Sequence, residues 1–96
     1  ADTLTEAPLT GLLDGAVVSG TVDRLLVTPT KVLIVDYKTN RNPPRDPAAI
    51  PLAYARQMRA YAGLLRGVYP GRQVEAALLW TEVPRLDPVH VTPAVD

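Results

Sequence analysis

Asp36 and Lys38 stand two residues apart at the end of an apolar run, Val32-Leu33-Ile34-Val35, and Asp23 stands at a matching distance before the preceding turn. In a strand, residues two apart share a face. If Thr28-Pro29-Thr30-Lys31 closes a symmetric turn, Val27 pairs with Val32, Leu25 with Ile34, Asp23 with Asp36 and Thr21 with Lys38. Opposed residues on neighbouring strands have Cβ atoms ~5 Å apart, so two carboxylates repel one another beside apolar Leu25 and Ile34. Such a pair is not there for stability: one acid takes up a proton, or a cation sits between the two. Carboxylate oxygens are hard ligands suited to Mg²⁺ or Mn²⁺. Mg²⁺ in particular is held by one or two carboxylates together with waters and substrate phosphate. The backbone carbonyl of Tyr37 can supply a further oxygen. Lys38 is then placed to position an attacking water, to act as general base, or to stabilise charge developing on a phosphoryl oxygen. The plainer alternative is Asp23 paired with Arg24 or Lys38, and Asp36 with Lys38 as an ordinary exposed ion pair.

The elements that must hold these residues can be read from pattern. Residues 3–12 show mixed alternation and read as a weak strand, followed by the turn signal Asp14-Gly15. Residues 16–27, rich in Val, Thr and Leu, read as a second strand. Residues 32–38 read as a central strand covered on both faces. A stiff loop with three prolines, TNRNPPRDP, comes next. Asp46 with Pro47 offers one helix start and Pro51 a later one. Ile50, Tyr54, Met58, Tyr61, Leu65 and Val68 then recur at helical spacing, and Tyr69-Pro70-Gly71 ends the helix. Residues 73–81 read as a buried strand, and the remainder is Pro-rich and loosely patterned, with a frayed end. The order is β-β-β-α-β. A helical crossover sets its two flanking strands parallel, so the expected fold is α/β with a mixed sheet.

The helix carries polar candidates of its own. Gln57 and Tyr61 lie one turn apart on one face, and a Gln amide can hold a phosphate or a water; a partly exposed flank residue is the alternative. Arg56 and Arg59 either contact a nucleic-acid backbone or face solvent.

With 47% hydrophobic and 21% charged residues, the chain has the composition of one globular domain. No apolar run reaches the ~18 residues of a membrane span. The start shows no signal-peptide pattern; it also lacks Met, as expected of an excised or processed piece. Absence of cysteine removes disulfides, thiolate zinc sites, iron–sulfur clusters and a Cys nucleophile. The formal net charge is zero but uneven: −3 over residues 1–37, +6 over 38–72 and −3 over 73–96. A basic middle between acidic ends suits an anionic ligand at one place, or is a solvated helix face.

Together these motifs resemble the nuclease domain of the RecB/AddA type within the PD-(D/E)XK superfamily. The resemblance rests on G-T-V-D (Gly20 to Asp23), V-D-Y-K-T (Val35 to Thr39) and Q-M-R-A-Y (Gln57 to Tyr61), with E-A-P-L (Glu6 to Leu9) upstream. The trailing L-L-W-T-E-V-P-R-L (Leu78 to Leu86) is similar to the end of the AddA helicase–nuclease subunit. It covers about residues 5–86, taken as a partial nuclease domain over 1–86 with a Pro-rich tail over 87–96.

The resemblance implies a restriction-endonuclease-like fold that lacks the family's preceding helix, and a Mg²⁺-dependent deoxyribonuclease, exonuclease in kind, with Mn²⁺ as a substitute ion. It implies Asp23, Asp36 and the Tyr37 carbonyl as metal ligands, and Asp23, Asp36, Lys38, Gln57 and Tyr61 as catalytic residues. Arg56, Arg59, Gln57 and Tyr61 would meet DNA, and Glu6 would support the site. Expected partners are single-stranded DNA, an ATP-driven helicase region of the same full-length chain and a second nuclease subunit. The setting would be recombinational double-strand break repair in the bacterial cytoplasm at the nucleoid, with no membrane. A family His on the preceding helix has no counterpart here, since His90 stands in the tail, and the piece alone is therefore expected to be weak or inactive. One face of its sheet should also be bare and apolar, favouring self-association. The alternative function is a nuclease-like module that binds DNA or a subunit without catalysis.

Overall fold

The computed structural model describes residues 2–39, 50–83 and 85–91. Among the described residues, five strands form one sheet in the order β1-β2-β3-β4-β5: β1 is Asp2–Leu13, β2 Ala16–Val27, β3 Lys31–Lys38, β4 Gln73–Trp80 and β5 Arg85–Val89. The described helix, α1 (Leu52–Val68), lies between β3 and β4 in sequence. The β3–β4 pair is parallel and the other three pairs are antiparallel. This is the mixed α/β sheet that the β-β-β-α-β order predicts, with one further strand.

Local chemistry explains the elements. Asp14 and Gly15 take positive φ of 51° and 80° and join Leu13 to Ala16 in a two-residue loop, the conformation that an Asp-Gly pair favours between twisted strands. After Val27, the Thr28 hydroxyl accepts the Lys31 amide at 2.9 Å, and the Thr28 amide donates to the Lys31 carbonyl at 2.8 Å. The side chain thus replaces the carbonyl acceptor of an ordinary type I turn, and the freed Thr28 carbonyl accepts Arg72 Nη1 at 3.1 Å. The expected register holds next to the turn, where Val27 pairs with Val32 and Leu25 with Ile34, but the pairing ends at Arg24 with Val35, so the expected Asp23–Asp36 and Thr21–Lys38 ladder pairs do not form.

Of the two helix starts the sequence offers, α1 uses the later. Pro51 (φ −51°) precedes Leu52, and its carbonyl accepts the Tyr54 amide at 3.0 Å. Asp46 and Pro47 lie outside the described residues. Met58, Tyr61, Ala62 and Leu65 form the buried stripe, while Val68, at the end of the predicted stripe, is 59% exposed. This stripe packs on Val22, Leu25, Val32, Ile34, Val74, Ala76, Leu78 and Trp80. Two glycines set the closeness of α1 to the β1 hairpin arm. A Cβ on Gly11 would lie 2.8 Å from Leu64, and one on Gly63 would lie 2.9 Å from Leu13.

The sheet face away from α1 carries half-buried Leu26, Leu33 and Leu79 beside Tyr37 and Leu86, which are 39% and 55% exposed. Among the described residues no second helix covers it. Two expectations need correction. Residues 2–13 form a full twelve-residue strand where a weak one was read. The segment read as loosely patterned contains β5, which passes through the boundary drawn between residues 86 and 87. There Asp87 is buried: Trp80 Nε1 donates to its Oδ2 at 2.8 Å, and Arg85 donates to the same oxygen from Nη2 at 2.7 Å.

Candidate active site

The site forms where the β2–β3 ladder stops. Its last pair is Arg24 with Val35; one step further would oppose Asp23 to Asp36, and the next Val22 to Tyr37. In a continued antiparallel ladder the Tyr37 amide would find a backbone acceptor on Val22. Instead it donates to Asp23 Oδ2 at 2.8 Å. The strand's face alternation explains the change. Val27 and Leu25 face the core with normal period two, but the next core residue is Val22, three positions back. The alternation slips across Asp23 and Arg24, which turns the Asp23 carboxylate toward β3. The slip extends to β1, whose ladder with β2 omits the Glu6–Asp23 pair between Thr5–Arg24 and Ala7–Val22. Glu6 has a φ of 49°, an uncommon conformation for a residue with a side chain. Behind the site, Arg24 Nε donates to Tyr37 Oη at 3.0 Å and links β2 to β3 at the point of divergence.

Asp36 is 8% exposed, on the α1 side of β3, with its carboxyl within hydrogen-bonding reach of the Asp23 carboxyl. Burial, reinforced by that shared hydrogen bond and the nearby Asp23 charge, pushes the Asp36 carboxyl above the usual carboxylate range; Lys38 opposes the shift. Lys38 Nζ lies 2.6 Å from Asp36 Oδ2, with both side chains largely shielded from water. The same Nζ lies 4.0 Å from the centre of the Tyr54 ring, on the first turn of α1. Asp23, Asp36 and Lys38 are therefore brought together. Tyr54 joins them although its spacing marked it only as part of the apolar stripe.

The remaining candidates distribute differently. Gln57 Nε2 donates to Tyr61 Oη at 3.3 Å. Tyr61 is 4% exposed and packs directly on Gly20, where a Cβ would stand 1.9 Å from its hydroxyl oxygen. Q-x-x-x-Y and G-x-x-D thus meet: the glycine is small because the tyrosine occupies its side-chain space. Arg59 Nε donates to the His90 carbonyl at 3.2 Å, which ties it to the end of β5. Arg56, Glu6 and His90 are exposed.

The donor set suits a small divalent cation. Two carboxyls have been driven together against their mutual repulsion, one of them buried, and a cation between them removes that conflict. Among the described residues no group of three or more His, Cys, Asp or Glu side chains is placed to hold a metal. Two carboxylates are nonetheless what Mg²⁺ takes from a protein when waters and phosphate complete its shell.

Two carboxyls beside a lysine are groups that can hold a divalent cation and offset charge on a phosphoryl oxygen. A sequence model of the PD-(D/E)XK nuclease superfamily matches residues 3–93, and the chain belongs to that superfamily. The five-stranded mixed sheet with its single described helix fits the superfamily's restriction-endonuclease-like fold. Its members are in general nucleases, which hydrolyse phosphodiester bonds, typically with divalent metals. No curated protein and no solved structure matched the chain. No described helix is long and apolar enough to cross a membrane.

Proposed function

We propose that this chain is a Mg²⁺-dependent DNA nuclease domain that works as the exonuclease part of a helicase–nuclease in recombinational double-strand break repair. The observation that carries the reading is the meeting of the Asp23 and Asp36 carboxyls, with Lys38 Nζ 2.6 Å from Asp36. Asp23 and Asp36 would hold the cation, with the Tyr37 carbonyl as a further oxygen. When bound, a divalent ion supplies Lewis-acid polarisation of the scissile phosphate and lowers the pKa of a coordinated water.

The chain's own residues do the rest. Lys38 presents a fixed positive charge beside the carboxylates, where it orients the attacking water and offsets negative charge gathering on the phosphoryl oxygens. Asp23, anchored by the Tyr37 amide, keeps the pair from rotating apart. Gln57, one turn from Tyr61 and bonded to it, offers an amide to a phosphate or a water. Arg56 contacts the backbone of incoming single-stranded DNA. Arg59 adds positive charge on the same helix, while Glu6, on β1 where its ladder with β2 skips Asp23, supports the site. The links to an ATP-driven helicase region, a second nuclease subunit and the nucleoid rest on the resemblance of Leu78 to Leu86 to the AddA terminus.

The test is cleavage of end-labelled single-stranded DNA with Mg²⁺, Mn²⁺ or EDTA. The expected result is ion-dependent cleavage that Asp36→Ala lowers by at least about a hundredfold, since the ion's contribution is several kcal/mol. Binding of DNA with no cleavage under any ion, together with no Mg²⁺ or Mn²⁺ binding that Asp36→Ala abolishes, would instead identify a non-catalytic module.

A further inference from the structure

Lys38 reaches the site on a flexible four-carbon stem with a compact, strongly hydrated head. Two contacts hold that head: the Asp36 carboxylate at 2.6 Å and the face of Tyr54 at 4.0 Å. The first contact conflicts with the proposed cation. Once Asp36 donates electron density to a divalent ion, its attraction for the lysine weakens, and two positive groups compete for one carboxylate. The second contact carries no such conflict. A ring face attracts an ammonium through its quadrupole and brings no full charge to the site.

Tyr54 is well placed to stay where it is. It sits on the first turn of α1, its amide bonded to the carbonyl of Pro51, whose φ is fixed by the pyrrolidine ring. Its side chain is half-buried, and the ring packs against the core.

We propose that Tyr54 is a positioning residue, its ring face holding the Lys38 ammonium beside the Asp23–Asp36 pair while that pair engages a divalent cation. The inference rests on the nuclease reading and adds to it a residue that acts through Lys38. It also assigns the work to the ring and not to the hydroxyl, so phenylalanine serves as well as tyrosine.

Two readouts on the 96-residue chain test it. In NMR spectra of the metal-free protein without DNA, the ε-methylene protons of Lys38 should resonate upfield of other lysines, through the ring current of Tyr54. That shift should survive Mg²⁺ addition and Tyr54→Phe, and vanish in Tyr54→Leu and Tyr54→Gln. In the cleavage assay, Tyr54→Leu should lower kcat by about tenfold, the order a ring–ammonium attraction supplies at a partly desolvated site. KM for DNA should stay within about twofold, and Tyr54→Phe should restore most of kcat. Amide spectra of α1 confirm that each variant is folded, and Tyr54→Gln stands in if Tyr54→Leu is not.

Return of the Lys38 signals to ordinary positions on Mg²⁺ addition would overturn the proposal. So would a Tyr54→Phe enzyme as slow as Tyr54→Leu, or a folded Tyr54→Leu enzyme at full rate. Asp36→Ala tests the parent reading separately: cleavage that survives it removes the nuclease site at these residues, whatever the Lys38 spectra show.

Discussion

Gly20→Ala should unsettle the helix-to-sheet contact more than the same change at Gly11 or Gly63. The new Cβ would stand 1.9 Å from Tyr61 Oη, 2.9 Å from Cζ and 3.2 Å from Cε1. The ring cannot simply swing aside. Tyr61 is 4% exposed, its neighbours Met58 and Ala62 are fully buried, and Gln57 is bonded to its hydroxyl. Either Tyr61 leaves its rotamer or α1 lifts from β2. Overpacking of this kind costs about 1–3 kcal/mol, while replacing a strand glycine by alanine returns about 0.5–1 kcal/mol of backbone entropy. The net loss should be about 1–2 kcal/mol, which in a domain of this size lowers Tm by about 5–15 °C. Thermal unfolding followed by far-ultraviolet circular dichroism measures it directly. Tyr61→Phe in the Gly20→Ala background removes the atom at 1.9 Å but leaves Cζ at 2.9 Å, so rescue should be partial. A double-mutant cycle should give a coupling of about 0.5–2 kcal/mol. Equal or higher stability of Gly20→Ala, or strictly additive effects in the cycle, would refute the claim that Tyr61 fills the glycine's side-chain space.

Asp36→Asn should stabilise the metal-free protein at neutral and alkaline pH. Burial and Asp23 raise the folded-state pKa of Asp36, so its contribution is complete below the unfolded value and is lost as pH rises through the folded one. The Tm advantage of the Asn variant should therefore grow between pH 4 and pH 8. Mg²⁺ should raise Tm of the parent chain and leave Asp36→Asn unmoved; a less stable Asn variant at pH 8 without metal contradicts the electrostatic account. Asp87→Ala should cost about 2–3 kcal/mol, because it leaves the buried Trp80 N–H without its acceptor and Arg85 without the ion pair it makes there. Trp80 is the one tryptophan in the chain, so a red shift of intrinsic fluorescence at lower denaturant reports the loss, and an unchanged midpoint counts against it. On the sheet face away from α1, Leu86→Lys should reduce self-association in sedimentation velocity without lowering Tm, since Leu86 is already 55% exposed; equal association by both proteins would place the contact elsewhere.

Turn chemistry and strand period made the β2–β3 pairing legible, because a symmetric four-residue turn leaves one register. The helix was legible from its spacing, but its start was not, since two prolines each allowed one. β5 was hidden for a different reason. In R-L-D-P-V the acidic residue faces inward and the leucine outward, the reverse of the usual pattern, and the proline fits because β5 lies at the sheet edge. Only the indole and guanidinium that surround Asp87 make its burial tolerable, and they reach it through folding. Tyr54 shows the same limitation: its spacing rightly places the ring against the core, but helical spacing does not show whether a residue also meets an ammonium.

The irregularities of the sheet coincide with its chemistry, and this coincidence has a mechanical origin. A regular β2–β3 ladder through Val22 and Tyr37 would place the Tyr37 amide on a backbone carbonyl, and Asp23 would simply alternate with its neighbours. The slip at Asp23 and Arg24 removes that carbonyl, and the vacancy is filled by the Asp23 carboxylate. The same hydrogen bond thus ends the ladder and aims the acid at Asp36. Repulsion between the two carboxyls is then built into the metal-free fold, where burial and Asp23 push the Asp36 carboxyl upward and Lys38 at 2.6 Å opposes them. A divalent cation meets carboxyls already brought together, so its binding need not pay the cost of assembling them. That is why binding should be read first in stability: the ion removes a conflict that folding alone leaves in place.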